Sequence, residues 1–124
     1  MQVMLMVYDI HYIVYSIFMK QNIGCVKAAN EILGDKWTPQ LLRAISNNDR
    51  IRFCQLQDAV GGINPRTLSN RLNNLEEKGV IISRPDAQSS YNSFSLTEKG
   101  NGLIPILLDM EKWSKKYHKN SLIA

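Results

Sequence analysis

Across residues 52–96 the hydrophobic pattern runs short helix, tight turn, second helix and then two strands, and few architectures accommodate that order. Residues 52–60 place Phe53, Leu56, Ala59 and Val60 on one helical face, and Gly61-Gly62-Ile63 breaks the pattern. Asn64 then supplies an N-cap and Pro65 a first-turn proline. Leu68, Leu72 and Leu75 recur at i, i+4 and i+7 toward Lys78, with Gly79 as the stop. Two short helices joined by a tight glycine-containing turn form a helix-turn-helix. Beyond Gly79 the period changes: residues 80–84 read as a strand, 85–90 as a polar loop and 91–96 as a returning strand. A hairpin directly behind a helix-turn-helix is a wing.

The flanks complete the architecture. Val26, Ala29, Ile32 and Leu33 predict a helix over residues 25–33 that ends at Gly34. Thr38-Pro39 reads as N-cap plus first-turn proline for a helix through Leu41, Leu42, Ala44 and Ile45, followed by turn chemistry at Asn47-Asn48-Asp49. Thr97 caps a long final helix holding Leu103, Ile104, Ile106, Leu107, Leu108, Met110, Trp113 and Tyr117, which Pro105 either kinks or breaks. The fold class is mainly α with a small β-hairpin wing: a winged helix-turn-helix with flanking helices.

At 124 residues the chain suits one domain that buries roughly two-thirds of its unfolded surface, and it is too short for a barrel or a doubly wound nucleotide fold. Fifteen Lys and Arg oppose eleven Asp and Glu, a net charge of +4. Residues 1–19 hold four of the five Met and three of the five Tyr, with Asp9 their only charged side chain, so residues 20–124 carry fifteen minus ten, or +5. A basic body suits a polyanionic partner. The apolar leader lacks the basic start and cleavage site of a signal peptide. As a membrane span it is short, and Asp9 near its middle costs about 3 kcal/mol. It is expected either to pack on the body or to precede a natural start at Met19; no membrane association is expected, and the location is cytoplasmic. Cys25 and Cys54 are too few for a disulfide framework and lack zinc spacing, which points to a reducing compartment and no metal. His11 and His118 lie at opposite ends and no phosphate loop is present, so neither enzyme activity nor a cofactor is expected.

The helix over residues 65–78 sets Arg66, Thr67, Asn70, Asn73 and Asn74 opposite its leucine stripe, with Ser69 and Arg71 at the flanks and no acidic residue before Glu76. These side chains reach base edges or phosphates in a major groove; the plainer alternative is a solvated face. Arg71, beside the stripe, either joins that surface or pairs with Glu76 or another carboxylate. Arg52, at the start of the first helix, and Arg84, at the wing base, suit phosphate contacts. The tip, Gln88-Ser89-Ser90, carries no charge that would release counterions.

Together these segments resemble the HxlR family of winged helix-turn-helix transcriptional regulators over residues 25–113. The resemblance rests on Cys25 followed by Ile32-Leu33-Gly34-Asp35-Lys36-Trp37-Thr38-Pro39, on Ile51-Arg52-Phe53, and on Ile63-Asn64-Pro65-Arg66-Thr67-Leu68-Ser69-Asn70-Arg71-Leu72. Leu75-Glu76-Glu77-Lys78-Gly79 and Ser95-Leu96-Thr97-Glu98-Lys99-Gly100 extend it. Each is short, but their order and spacing are highly specific. The resemblance implies a homodimer that binds double-stranded DNA at a pseudo-palindromic operator, with residues 20–124 as the DNA-binding domain and helices at both chain ends as dimerisation helices. Leu103, Leu107, Met110 and Trp113 are the expected interface, whereas Trp37 is expected in the core. It also implies that Cys25 senses a small electrophile or oxidant, since several relatives use a cysteine just ahead of the first core helix. A helix N-terminus and nearby Lys27 favour thiolate there. The alternative is a small packed side chain, the role expected of Cys54. Tyr91-Asn92-Ser93-Phe94 departs from the family pattern, which weakens the transfer of wing contacts. A winged-helix module that binds protein rather than DNA is the competing function.

Overall fold

The computed structural model describes residues 23–118. The expectations for residues 1–19 lie outside them. The chain divides into two units, Met1–Gly34 and Asp35–Ala124. Within the first, helix α1 spans Ile23–Leu33 and starts two residues before its predicted position.

In the second unit α2 spans Thr38–Ser46, with Pro39 in its first turn, where a missing N–H leaves no hydrogen bond unmade. Thr38 is not its N-cap. The capping group is Asp35, whose Oδ1 accepts the N–H groups of Trp37 and Thr38, each at 2.8 Å, while Oδ2 accepts the Thr38 hydroxyl. A carboxylate satisfies two helix-start donors and a buried hydroxyl at once, which a threonine at the cap cannot. Leu41, Leu42 and Ile45 go from this helix into the core. Trp37 is half-buried rather than in the core, with Lys36 Nζ 4.7 Å from its ring centre.

The helix-turn-helix follows as predicted, with one addition. Residues Ile51–Arg52 form a strand, β1, before α3 begins at Phe53 and runs to Val60. Arg52 is therefore extended, with its N–H donating to Gln55 Oε1 at 2.9 Å. Gly61 and Gly62 turn the chain at φ of 64° and 75°, a left-handed conformation that side chains with a Cβ resist. Helix α4, Pro65–Glu77, starts on an extended Asn64 whose Oδ1 accepts the Thr67 N–H at 2.9 Å. Leu68, Leu72 and Leu75 are buried against a core that includes Leu56, Ile63, Val80 and Ile81.

Strands β2, Ile81–Pro85, and β3, Asn92–Leu96, form the wing hairpin, each starting one residue later than predicted. Val80 is taken instead by the end of α4, donating to the Leu75 carbonyl at 3.0 Å. Strand β1 joins β3 on its other edge, so the sheet is three-stranded and antiparallel, ordered β1-β3-β2. A two-residue strand carries no readable period, which is why the sequence pattern shows only a hairpin.

Thr97 does cap a helix, accepting the Gly100 N–H at 3.1 Å, but that helix is the short α5, Glu98–Asn101. The long helix α6 starts anew at Ile104 and reaches Tyr117, with Pro105 in its first turn. Of the two outcomes open for Pro105, the chain takes the break: a proline within a continuous helix would lack one hydrogen bond and clash with the preceding turn. Helix α6 is tied to α2 by Arg43 Nε and Glu111 Oε1 at 2.5 Å, and Leu107 on α6 and Leu103 just before it are buried. Among the described residues no helix is long and apolar enough to cross a membrane.

Candidate nucleic-acid interface

Burial of the leucine stripe decides what α4 shows to solvent. At about 100° per residue, Arg66, Asn70 and Asn73 fall within about 60° of one another on the far side of the helix. All three are exposed, as is Ser69 at their edge. Thr67 is half-buried, its N–H held by the Asn64 cap. Four polar side chains without a negative charge thus occupy one continuous face, and Glu76 and Glu77 enter only at its C-terminal end.

Arg71 takes the pairing alternative, with Asp35 as its carboxylate: Nη1 lies 3.6 Å from Asp35 Oδ2. Burial works to raise the Asp35 pKa. Hydrogen bonds from the Thr38 hydroxyl, the Thr38 N–H and the Trp37 N–H, with the Arg71 charge behind them, outweigh it and hold the carboxyl below its ordinary value. One aspartate therefore links the start of α2 to the middle of α4.

Arg52 is half-buried and Arg84 exposed, on opposite edge strands of the small sheet. None of the ion pairs found among the described residues involves Arg52, Arg66 or Arg84. Within the wing loop, Asp86 accepts the Gln88 N–H at 3.0 Å and Ser89 Oγ accepts the Tyr91 N–H at 3.1 Å, so local bonds shape the tip.

The apolar surface of α6 differs from expectation. Leu103 and Leu107, at 9 % and 2 % exposure, belong to the domain's own core and are not available to a partner. Met110 and Trp113 are exposed, and they continue into a stripe with Ile106 and Tyr117, all four between 45 % and 60 % exposed. Their spacing of i, i+4, i+7 and i+11 puts them on one face of the helix. Beside them, α2 and α6 enclose a groove of about 540 Å³ lined by Pro39, Leu107, Met110 and the Arg43–Glu111 pair.

Both cysteines are exposed: Cys25 on α1, and Cys54 in the first turn of α3, where it is not the packed side chain expected. Among the described residues no three of His, Cys, Asp and Glu are grouped to hold a metal ion.

The sequence profile of the HxlR-like helix-turn-helix family matches residues 32–122. The chain belongs to that family. It is 31 % identical over 90 residues to an HTH-type transcriptional regulator of Halalkalibacterium halodurans, spanning 72 % of this chain and 80 % of the relative. With YvaP, an HTH-type transcriptional regulator of Bacillus subtilis, it shares 31 % identity over 102 residues, 80 % of this chain and 94 % of YvaP. Among solved structures, the redox regulator HypR in its reduced form matches with a TM-score of 0.70 at 26 % identity, over 80 % of this chain and 98 % of HypR. This HxlR-like protein is a transcriptional regulator of the helix-turn-helix type with the winged-helix fold.

Two residues of this regulator escaped the sequence reading. Asp35 had a usable signal, a carboxylate three residues ahead of Thr38-Pro39. Ser93 had none, because its position between two arginines depends on β1, which the pattern did not reveal.

Proposed function

We propose that this regulator binds double-stranded DNA as a homodimer at a pseudo-palindromic operator, with residues 20–124 forming the DNA-binding domain. Helix α4 lies in the major groove, where Arg66, Ser69, Asn70 and Asn73 meet base edges and Thr67 meets the backbone. Arg52 and Arg84 contact phosphates, and Arg71 holds α4 in place through Asp35. The observation that carries this reading is the exposed α4 face: cationic and amide side chains opposite a fully buried leucine stripe, free of acid until Glu76. Met110 and Trp113, with Ile106 and Tyr117, form the surface that meets the second copy. The protein acts in the cytoplasm and carries no catalytic residue.

A thiol switch at Cys25, responding to a small electrophile or oxidant, completes the proposal. Its support is the exposure of Cys25 and the likeness to HypR, itself a redox regulator.

The test is titration of duplex DNA with purified protein at several salt concentrations. Affinity is expected to fall steeply as salt rises, and Arg66→Ala to cost about 1–3 kcal/mol. Salt-insensitive binding, or none, with a discrete protein complex in its place, would favour the protein-interaction alternative.

A further inference from the structure

The sheet brings together three residues that are far apart in the chain. Ser93, on the central strand, is the cross-strand partner of Arg52 on β1 and of Arg84 on β2. Directly opposed residues of antiparallel strands point to the same face. Arg52, Ser93 and Arg84 therefore stand side by side in a row across the sheet, while Ile51, Phe94 and Ile81 occupy the opposite face. With strands about 4.8 Å apart, the two arginines start about 10 Å from each other, with the serine midway between them. Two long stems across that gap can converge their guanidinium groups above it.

Ser93 is only 3 % exposed, and its Oγ has no hydrogen-bond partner among the described residues. Buried hydroxyls are normally paired, so an unpaired one beneath two arginines points to a group that arrives from outside. Neither arginine belongs to an ion pair found among the described residues. Arg52 also precedes the first turn of α3, which contains no acidic residue, so the positive end of that helix adds to the local field. Two guanidinium forks and a hydroxyl donor suit the oxygens of a phosphodiester.

We propose that Arg52, Ser93 and Arg84 form one site that seats a single backbone phosphate of duplex DNA at the base of the wing. The proposal rests on the DNA-binding reading and makes the two arginine contacts one site, with Ser93 as a third donor. Wing anchorage then depends on the sheet rather than on its uncharged tip.

The experiment measures affinity for a random-sequence duplex against salt concentration for the full chain and for Arg52→Met, Arg84→Met, the double variant and Ser93→Ala. For a shared phosphate, each single arginine variant lowers affinity several-fold while nearly keeping the salt slope. The double variant then lowers that slope by about 0.9 per protomer. Slope losses that add to about 1.8 per protomer would mean two separate phosphates and overturn the proposal. Ser93→Ala is expected to weaken binding several-fold at unchanged slope and with no loss of thermal stability, since an unpaired buried hydroxyl is removed; full affinity would remove the serine from the site. Arg66→Ala is the control. Weakened duplex binding by that variant, with wild-type behaviour in all four row variants, would overturn the row alone. No duplex binding by the wild type would overturn the DNA-binding reading itself.

Discussion

Asp35 carries more of the domain than its partial exposure suggests, and replacing it is the most informative perturbation of the fold. In the wild type its carboxylate accepts the N–H groups of Trp37 and Thr38, accepts the Thr38 hydroxyl and faces Arg71. Asp35→Ala removes the helix cap, worth about 1 kcal/mol, and leaves the buried Thr38 hydroxyl without its acceptor, about 1–3 kcal/mol more. The partly exposed Arg71 pair adds under about 1 kcal/mol. The helix affected supplies Leu41, Leu42 and Ile45, all fully buried, so local fraying has no inexpensive form. Urea unfolding is expected to show a loss of about 2–4 kcal/mol at unchanged m-value. Asp35→Asn keeps one acceptor oxygen and should lose about half as much. The pH dependence follows from the lowered carboxyl pKa in the folded state. The charge contributes fully above the unfolded value, about 3.9, and its contribution is lost as pH falls through the lower folded value. The stability gap between wild type and Asp35→Asn should therefore narrow from pH 7 to pH 3. An Asp35→Ala loss under about 0.5 kcal/mol, or a gap independent of pH, would refute the capping role.

Leu107→Ala is expected to destabilise the domain by about 2–5 kcal/mol in the same assay. Met110→Lys, on the exposed stripe, should leave most of that stability intact and shift sedimentation toward the monomer. Arg71→Met is expected to lower stability slightly while keeping the salt slope of DNA binding, because Arg71 faces Asp35. In DNA-binding assays with and without a quinone or diamide oxidant, wild type should respond and Cys25→Ser should not; equal responses would exclude Cys25 as the sensor.

How much of the molecule was legible depended on contrast between faces. On α4 the leucines fall on one narrow stripe and everything else after Pro65 is polar, so period, cap and exposed face could all be read. From Leu103 into α6, the side chains Leu103, Ile104, Ile106, Leu107, Leu108 and Met110 surround much of the helix, and spacing alone did not show which of them turn inward. The break before Pro105 sets that rotation: it sends Leu103 and Leu107 to the core and leaves Ile106 outside. Strand β1 was hidden because two residues have no period, and with it went the register that places Ser93 between Arg52 and Arg84. Arg71 was ambiguous for a different reason. Its position at the edge of the stripe allows either a groove or a neighbour, and only the fold brings Asp35 within reach.

That α4 reads the major groove of a symmetric operator is tested most directly by selecting random duplexes with wild-type protein and with Arg66→Ala. Wild type is expected to enrich an inverted repeat whose half-sites are centred about one helical turn apart, or a multiple of it. Arg66→Ala should lose base preference at one equivalent position in each half-site and keep it elsewhere. An enriched sequence without dyad symmetry, or identical preferences from the two proteins, would contradict it.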